Sequence, residues 1–211
     1  FAAVAMQMIS KAVPAAFRCL MFLAIVSVSS GWAADDPQGF EETSILQAPG
    51  INDSVVSDSS RQILREVAAH RRAAEYDTAI TKLRTAFVQV RQETEGQEHP
   101  LVVEILDEAV DVFIQAGRYE QAEGPLDNVI TLREQQVAAS EDRADRAYQQ
   151  ACLAGANLKL GWVLSRLGDP NAALPPFSKA VAGFETIFGF SHQVVRRARQ
   201  LEVSALWDAA R

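Results

Sequence analysis

The residues able to do acid–base, nucleophilic or metal chemistry are few in this 211-residue sequence. There are three histidines, His70, His99 and His192, and two cysteines, Cys19 and Cys152. A carboxylate group, Glu104, Asp107, Glu108 and Asp111, recurs at helical spacing. Glu108 and Asp111 with His70 could do general acid–base work only by converging on a pocket, and no motif brings them together. His99 and His192 stand in matching contexts, Gly96-Gln97-Glu98-His99-Pro100 and Gly189-Phe190-Ser191-His192-Gln193. That repetition, with few other ligand-type residues nearby, predicts a role at a helix start rather than in a metal site. Cys152 has no base near it in sequence and reads as a small core residue. No glycine-rich phosphate loop, nucleophile elbow or metal-binding helix motif is present. The expectation is therefore no catalysis, no cofactor and no metal.

The elements that carry these residues begin after a distinctive start. Residues 1–34 hold no acid, two cations (Lys11 and Arg18), an apolar run from Cys19 to Val28, and then small residues ending in Ala33-Ala34. The order basic, apolar, small is that of a secretory signal peptide, with cleavage after Ala33 preferred. The uncharged stretch from Cys19 to Ala34 is shorter than the ~20 residues a spanning helix needs, which argues against an uncleaved anchor. An exported chain, periplasmic or secreted, is expected. If residues 1–34 are removed, the 20 cations become 18 against 27 acids, and the net charge goes from -7 to -9. Such a chain is repelled by phosphate backbones and anionic lipid, so nucleic acid is not an expected partner, and contact with a membrane is expected only through the signal segment if it is uncleaved. Cys152 would then be alone, with no internal disulfide to form. Residues 35–60 are polar and broken by Pro37, Gly39, Pro49 and Gly50, and read as a flexible leader.

From residue 61 to 211 the chain repeats itself. Glu75-Tyr76-Asp77-Thr78-Ala79, Arg118-Tyr119-Glu120-Gln121-Ala122 and Asp169-Pro170-Asn171-Ala172-Ala173 each open a helix with a small residue at the same place. Four residues on stand Leu83, Leu126 and Phe177, and three beyond those stand Ala86, Val129 and Ala180. Seven residues before Gly168, Gly161 in a helix interior costs ~1 kcal/mol relative to alanine and so predicts close helix contact. The extra residues of the last interval fall in 137–145, where they either lengthen the flanking helices or form a longer loop. Helices are expected over 61–73, 76–94, 100–116, 119–138, 146–167, 170–188 and 192–209. Pro125 and Pro176 are expected to bend their helices without ending them.

This pattern resembles the tetratricopeptide repeat family, in particular the longer repeats of kinesin light chains, with their Gly-x-x-His-Pro lead and Gly-Arg-Tyr corner. The third repeat is the best match, with Leu160-Gly161, Gly168, Ala173, Phe177 and Ala180 at consensus positions. Repeat one departs with Ala74 at the corner and Val67 at the small helix position, and repeat two has Val110 there, so those hairpins are expected to pack less tightly. The resemblance implies an all-α, right-handed solenoid of three helical hairpins, with a C-terminal helix capping the open end. Val195, Ala198, Val203, Leu206 and Trp207 supply that last helix with apolar residues.

The resemblance also implies a concave groove lined by first helices. It would take Arg61, Arg65 and Arg72 from repeat one, Glu104, Asp107, Glu108 and Asp111 from repeat two, and Lys159, Trp162 and Arg166 from repeat three. Banded basic, acidic, basic, such a surface could hold a protein or extended peptide with Trp162 as anchor. Alternatively the bands neutralise one another, Arg65 or Arg72 pairing with Asp107 or Asp111, at ~0 to 1 kcal/mol per exposed pair. The family's carboxylate-clamp pattern is not reproduced. The function this predicts is a non-catalytic adaptor, and the rival is a self-associating structural or envelope-assembly subunit.

Overall fold

A computed structural model describes residues 58–95 and 99–211, and all regular structure in them is helical. The seven helices are α1 (Asp58–Arg72), α2 (Tyr76–Glu93), α3 (Pro100–Gln115), α4 (Tyr119–Ala139), α5 (Arg143–Arg166), α6 (Pro170–Phe188) and α7 (Gln193–Ala209). The signal segment, the leader up to residue 57 and Gly96-Gln97-Glu98 lie outside the described residues. Helix α1 starts three residues earlier than expected, so Asp58, Ser59 and Ser60 belong to a helix and not to the leader. Buried Ser60 donates to Glu93 Oε2 at 3.2 Å, which ties the start of α1 to the end of α2.

The same corner is built three times. Three residues separate α1 from α2, α3 from α4 and α5 from α6, and the middle one is left-handed each time: Ala74 at φ 58°, Gly117 at 71° and Gly168 at 85°. The N–H after it reaches back five residues, Glu75 to His70 O (2.9 Å), Arg118 to Phe113 O (2.8 Å) and Asp169 to Leu164 O (3.0 Å). The left-handed residue itself donates three residues back, to Arg71, Ile114 and Ser165. This is the Schellman arrangement, which satisfies carbonyls that a helix end would leave open. Alanine at position 74 adopts it at a cost of ~1 to 2 kcal/mol that glycine avoids.

The recurring register positions are all buried. Ala79, Ala122 and Ala173 are fully covered, as are Ala86, Val129 and Ala180, and Leu83, Leu126 and Phe177 are at most 3% exposed. Gly161 answers to a close approach: a Cβ there would stand 2.7–2.8 Å from the Phe177 ring. Sixteen residues likewise separate Val67 from Leu83 and Val110 from Leu126, and all four of these side chains are buried. In the third hairpin the small helix residue thus meets the ring, and in the first two a valine and a leucine occupy the same two register positions. Val67 and Val110, the departures from the small helix residue, are both fully covered.

The described residues divide into two compact units, 58–129 and 130–211, with the boundary inside α4. In the first, α2 packs on both α1 and α3 around Leu64, Val67, Ile80, Leu83, Val90 and Ile105. In the second, α6 packs on both α5 and α7 around Leu158, Phe177, Phe184 and Val195. The surplus residues near 140 lengthen helices. Helix α4 runs to Ala139, α5 begins at Arg143, and a three-residue turn joins them. Asp142 accepts from the N–H groups of Ala144 (2.8 Å) and Asp145 (2.9 Å), and the Ser140 hydroxyl donates to Asp145 at 2.6 Å. Helices α4 and α6 continue through Pro125 and through Pro175-Pro176. The apolar residues of helix α7 divide: Val195 and Ala198 are buried, while Val203, Leu206 and Trp207 are 49%, 50% and 68% exposed.

Candidate functional site

The first-unit candidates lie on α1 and α3. The Arg61 side chain is outside the described residues, and Arg65 and Arg72 are exposed on α1. Arg65 donates to Gln62 of its own helix at 3.2 Å. On α3, Glu104 is half-buried, whereas Asp107, Glu108 and Asp111 are only 9%, 7% and 5% exposed. The reason lies in the sequence of α3 itself. Besides Val103, Leu106, Ala109, Val110 and Phe113, which recur at helical spacing, it carries Val102, Ile105 and Val112, and these last three are buried. A helix covered on several sides must take its acids in with it, and those acids need partners.

One such partner is Arg71, which no reading of the sequence singled out. Its Nε stands 2.8 Å from Glu108 Oε1, with side-chain exposures of 11% and 9%. The two atoms meet as a close ion pair and not as an aligned hydrogen bond. The neutralisation foreseen for Arg65 or Arg72 with Asp107 or Asp111 thus has a counterpart one residue and one position away. A signal was available: Arg71 stands four and seven residues beyond buried Val67 and Leu64, on their face, while Arg65 and Arg72 neighbour only Ala68 at its edge. On the outside of the same unit, Arg118 pairs with Asp77 at 2.7 Å, linking the second corner to the start of α2.

The second-unit candidates lie on α5. Lys159 is 3% exposed, so its ammonium is covered. Trp162 is half-buried against the unit's core, and the exposed Arg166, one turn on, places its guanidinium carbon 5.6 Å from the indole centre. A cation over an aromatic face contributes roughly 0.5 to 1 kcal/mol at an exposed site and holds both side chains in place. Their shared edge presents an apolar ring and a planar donor group to solvent. Deeper in the unit, buried Arg133 donates to Gln136 (3.0 Å) and Gln149 (3.1 Å), joining α4 to α5.

The histidines have structural work. His99 Nδ1 accepts from Leu101 N–H at 3.2 Å and His192 Nδ1 accepts from Val194 N–H at 3.3 Å, each capping the helix it precedes. The imidazole of His192 also stacks on Phe188 with ring centres 4.9 Å apart. His70 Nδ1 lies 2.6 Å from the Glu75 carboxylate, across the first corner. Glu66 on α1 holds its carboxyl below the usual range, chiefly through the hydrogen bond from Lys82 and then that from Gln62. Cys152 is half-exposed and free of any disulfide. Among the described residues no group of histidine, cysteine and acidic side chains is placed to hold a metal ion, and no helix is long and apolar enough to cross a membrane.

Of the ten sequence-derived groove candidates, the side chains that remain open or half-open to solvent are Arg65, Arg72, Glu104, Trp162 and Arg166. When the sequence is compared with known protein families and with curated proteins, no family model and no curated relative matches.

Proposed function

We propose that the chain is an exported, non-catalytic adaptor of the tetratricopeptide type, a right-handed solenoid of three hairpins that holds a protein or an extended peptide along its first helices. The observation that carries this is the threefold corner: Ala74, Gly117 and Gly168 share one backbone geometry and one hydrogen-bond pattern. A chain that builds the same helix–corner–helix unit repeatedly commits its sequence to stacking and leaves surface, not a pocket, as its working part. Within that surface the half-buried Trp162 beside Arg166 has the character of an anchor, an aromatic held rigid by its neighbours. Arg65, Arg72 and Glu104 supply accessible charge for reading a partner of mixed sign.

The test is affinity capture from an envelope or secreted fraction on the full chain, beside a variant carrying Arg65→Glu and Trp162→Ala. A protein retained by the first, lost by the second and bound again in purified form supports the adaptor. Equal capture by both, at equal helicity, defeats it.

A second reading, self-association as a structural or assembly subunit, is favoured by a different observation. Val203, Leu206 and Trp207 are exposed on one side of α7. Clustered apolar side chains in water mark a contact surface more often than isolated ones do.

A further inference from the structure

Helix α7 has two faces. One, with Val194, Val195, Ala198 and Ala205, is buried in the core of the second unit. The other follows a 3-4 spacing through Arg196, Arg199, Val203, Leu206 and Ala210, with Gln200 and Trp207 beside it. Each residue of that spacing is exposed except Arg199, which is half-buried. Its composition changes along the helix. The first half is cationic and the second apolar and aromatic. Arg199 is already ordered, pairing with Glu185 and lying 3.8 Å over the exposed Phe190 ring.

We infer that this outer face of α7 pairs antiparallel with the same face of a second copy of the chain, about a two-fold axis near Val203. The inference rests on the self-association reading above and specifies its surface. In that arrangement Val203 meets Val203 of the other copy, and each cationic half lies against the other's Leu206 and Trp207. Arginine over indole is an attractive contact, so the half that would repel itself in a parallel pair is satisfied in an antiparallel one. The 3-4 spacing of this face suits two helices crossing at a shallow angle. A head-to-tail arrangement on α1 fits less well, because the open side of α1 presents Arg65 and Arg72 to the arginines of α7. The acidic remainder of the chain, net -7 overall, also keeps copies apart except where this segment, with four arginines against two acids over 193–211, relieves the repulsion. Three apolar side chains and part of a helix make a small interface, below the ~1,200 Å² of a standard complex, so the dimer is weak and reversible.

The experiment is sedimentation velocity of the full chain from about 5 to 300 µM, a range suited to a small interface, with Trp207→Glu, and oxidative cross-linking of Val203→Cys against Ser178→Cys. The expected result is a concentration-dependent dimer, weakened ~10-fold or more in Trp207→Glu at unchanged helicity, as for an aromatic anchor. Val203→Cys should cross-link to a dimer that Ser178→Cys does not form. A dimer indifferent to Trp207→Glu would leave self-association standing and overturn the α7 surface. Open-ended polymers in place of dimers would overturn the two-fold arrangement. A wild-type chain monomeric throughout overturns both, and if it also cosediments with anionic phospholipid vesicles through Trp207, the face belongs to a membrane surface.

Discussion

The two units solve one packing problem with different materials. In 58–129 the large register position is leucine, Leu83 and Leu126, with buried Val67 and Val110 sixteen residues before; in 130–211 it is phenylalanine, and Gly161 makes room for it. The first unit turns its first corner on an alanine, the second on a glycine. The first holds a buried ion pair between α1 and α3, whereas the second keeps its apolar excess outside, on α7. The lesson is that a repeat conserves summed volume and backbone geometry across its copies and leaves individual residue identity free, so a departure at one position predicts a matching departure at another.

The largest effect expected comes from breaking the ion pair. Arg71→Met should destabilise the first unit by ~3 to 5 kcal/mol, because Glu108 is left as a charge with little water to replace its partner. Arg71→Met with Glu108→Leu should recover most of that loss. Chemical denaturation followed by circular dichroism reads both, and a single-variant loss under ~1 kcal/mol would mean that water reaches the pair.

The volume exchange is sharper as a cycle. Gly161→Val alone should cost ~1 to 3 kcal/mol by overpacking against the Phe177 ring, and Phe177→Leu alone should cost a comparable amount by leaving a cavity. Together they install the Val–Leu pair of the first unit, and a coupling of at least ~1 kcal/mol in the double-mutant cycle is expected. Additive losses would show that the two units do not share a packing rule.

Smaller still is the corner. Gly168→Ala should lose ~1 kcal/mol, since no neighbour lies near its Cβ position and only the left-handed backbone opposes the change. Ala74→Gly should gain less than that, because glycine also loosens the unfolded chain. The smallest effect belongs to Glu66. Its carboxyl is depressed in the folded chain, so its contribution is present above the ordinary carboxylate range and lost as pH falls through the folded value. Lys82→Ala should lose that small contribution at pH 7 and converge with the parent chain as the pH falls, which flattens that part of the acid titration of stability.

What was legible in the sequence was whatever depends on spacing. The helices, the three corners and the nine buried register positions follow from a repeat that can be laid over itself, and His99 and His192 declared their shared capping role by recurring in one context. What was not legible depends on how many sides of a helix are covered. The groove assignment took Asp107, Glu108, Asp111 and Lys159 as open because the resemblance puts first helices along a groove, but burial is decided by neighbours that a single helix does not specify. The same limit, in reverse, hid the exposed side of α7, whose apolar residues look alike in sequence whether they face Phe184 or water.

The lengthening of α5 has a kinetic consequence. With 24 residues against the 19 of α6, and both measured from their shared corner, α5 runs past the far end of its partner by about five residues, or roughly 7.5 Å. The Asp142 cap holds its first amides, and the Arg146 guanidinium donates to the Ser140 carbonyl of the preceding turn. This tip can open and close alone, exchanging its protons for solvent deuterium many times in the interval the Phe177 core takes to open once. A protease sampling the folded chain would find its first helical cut there.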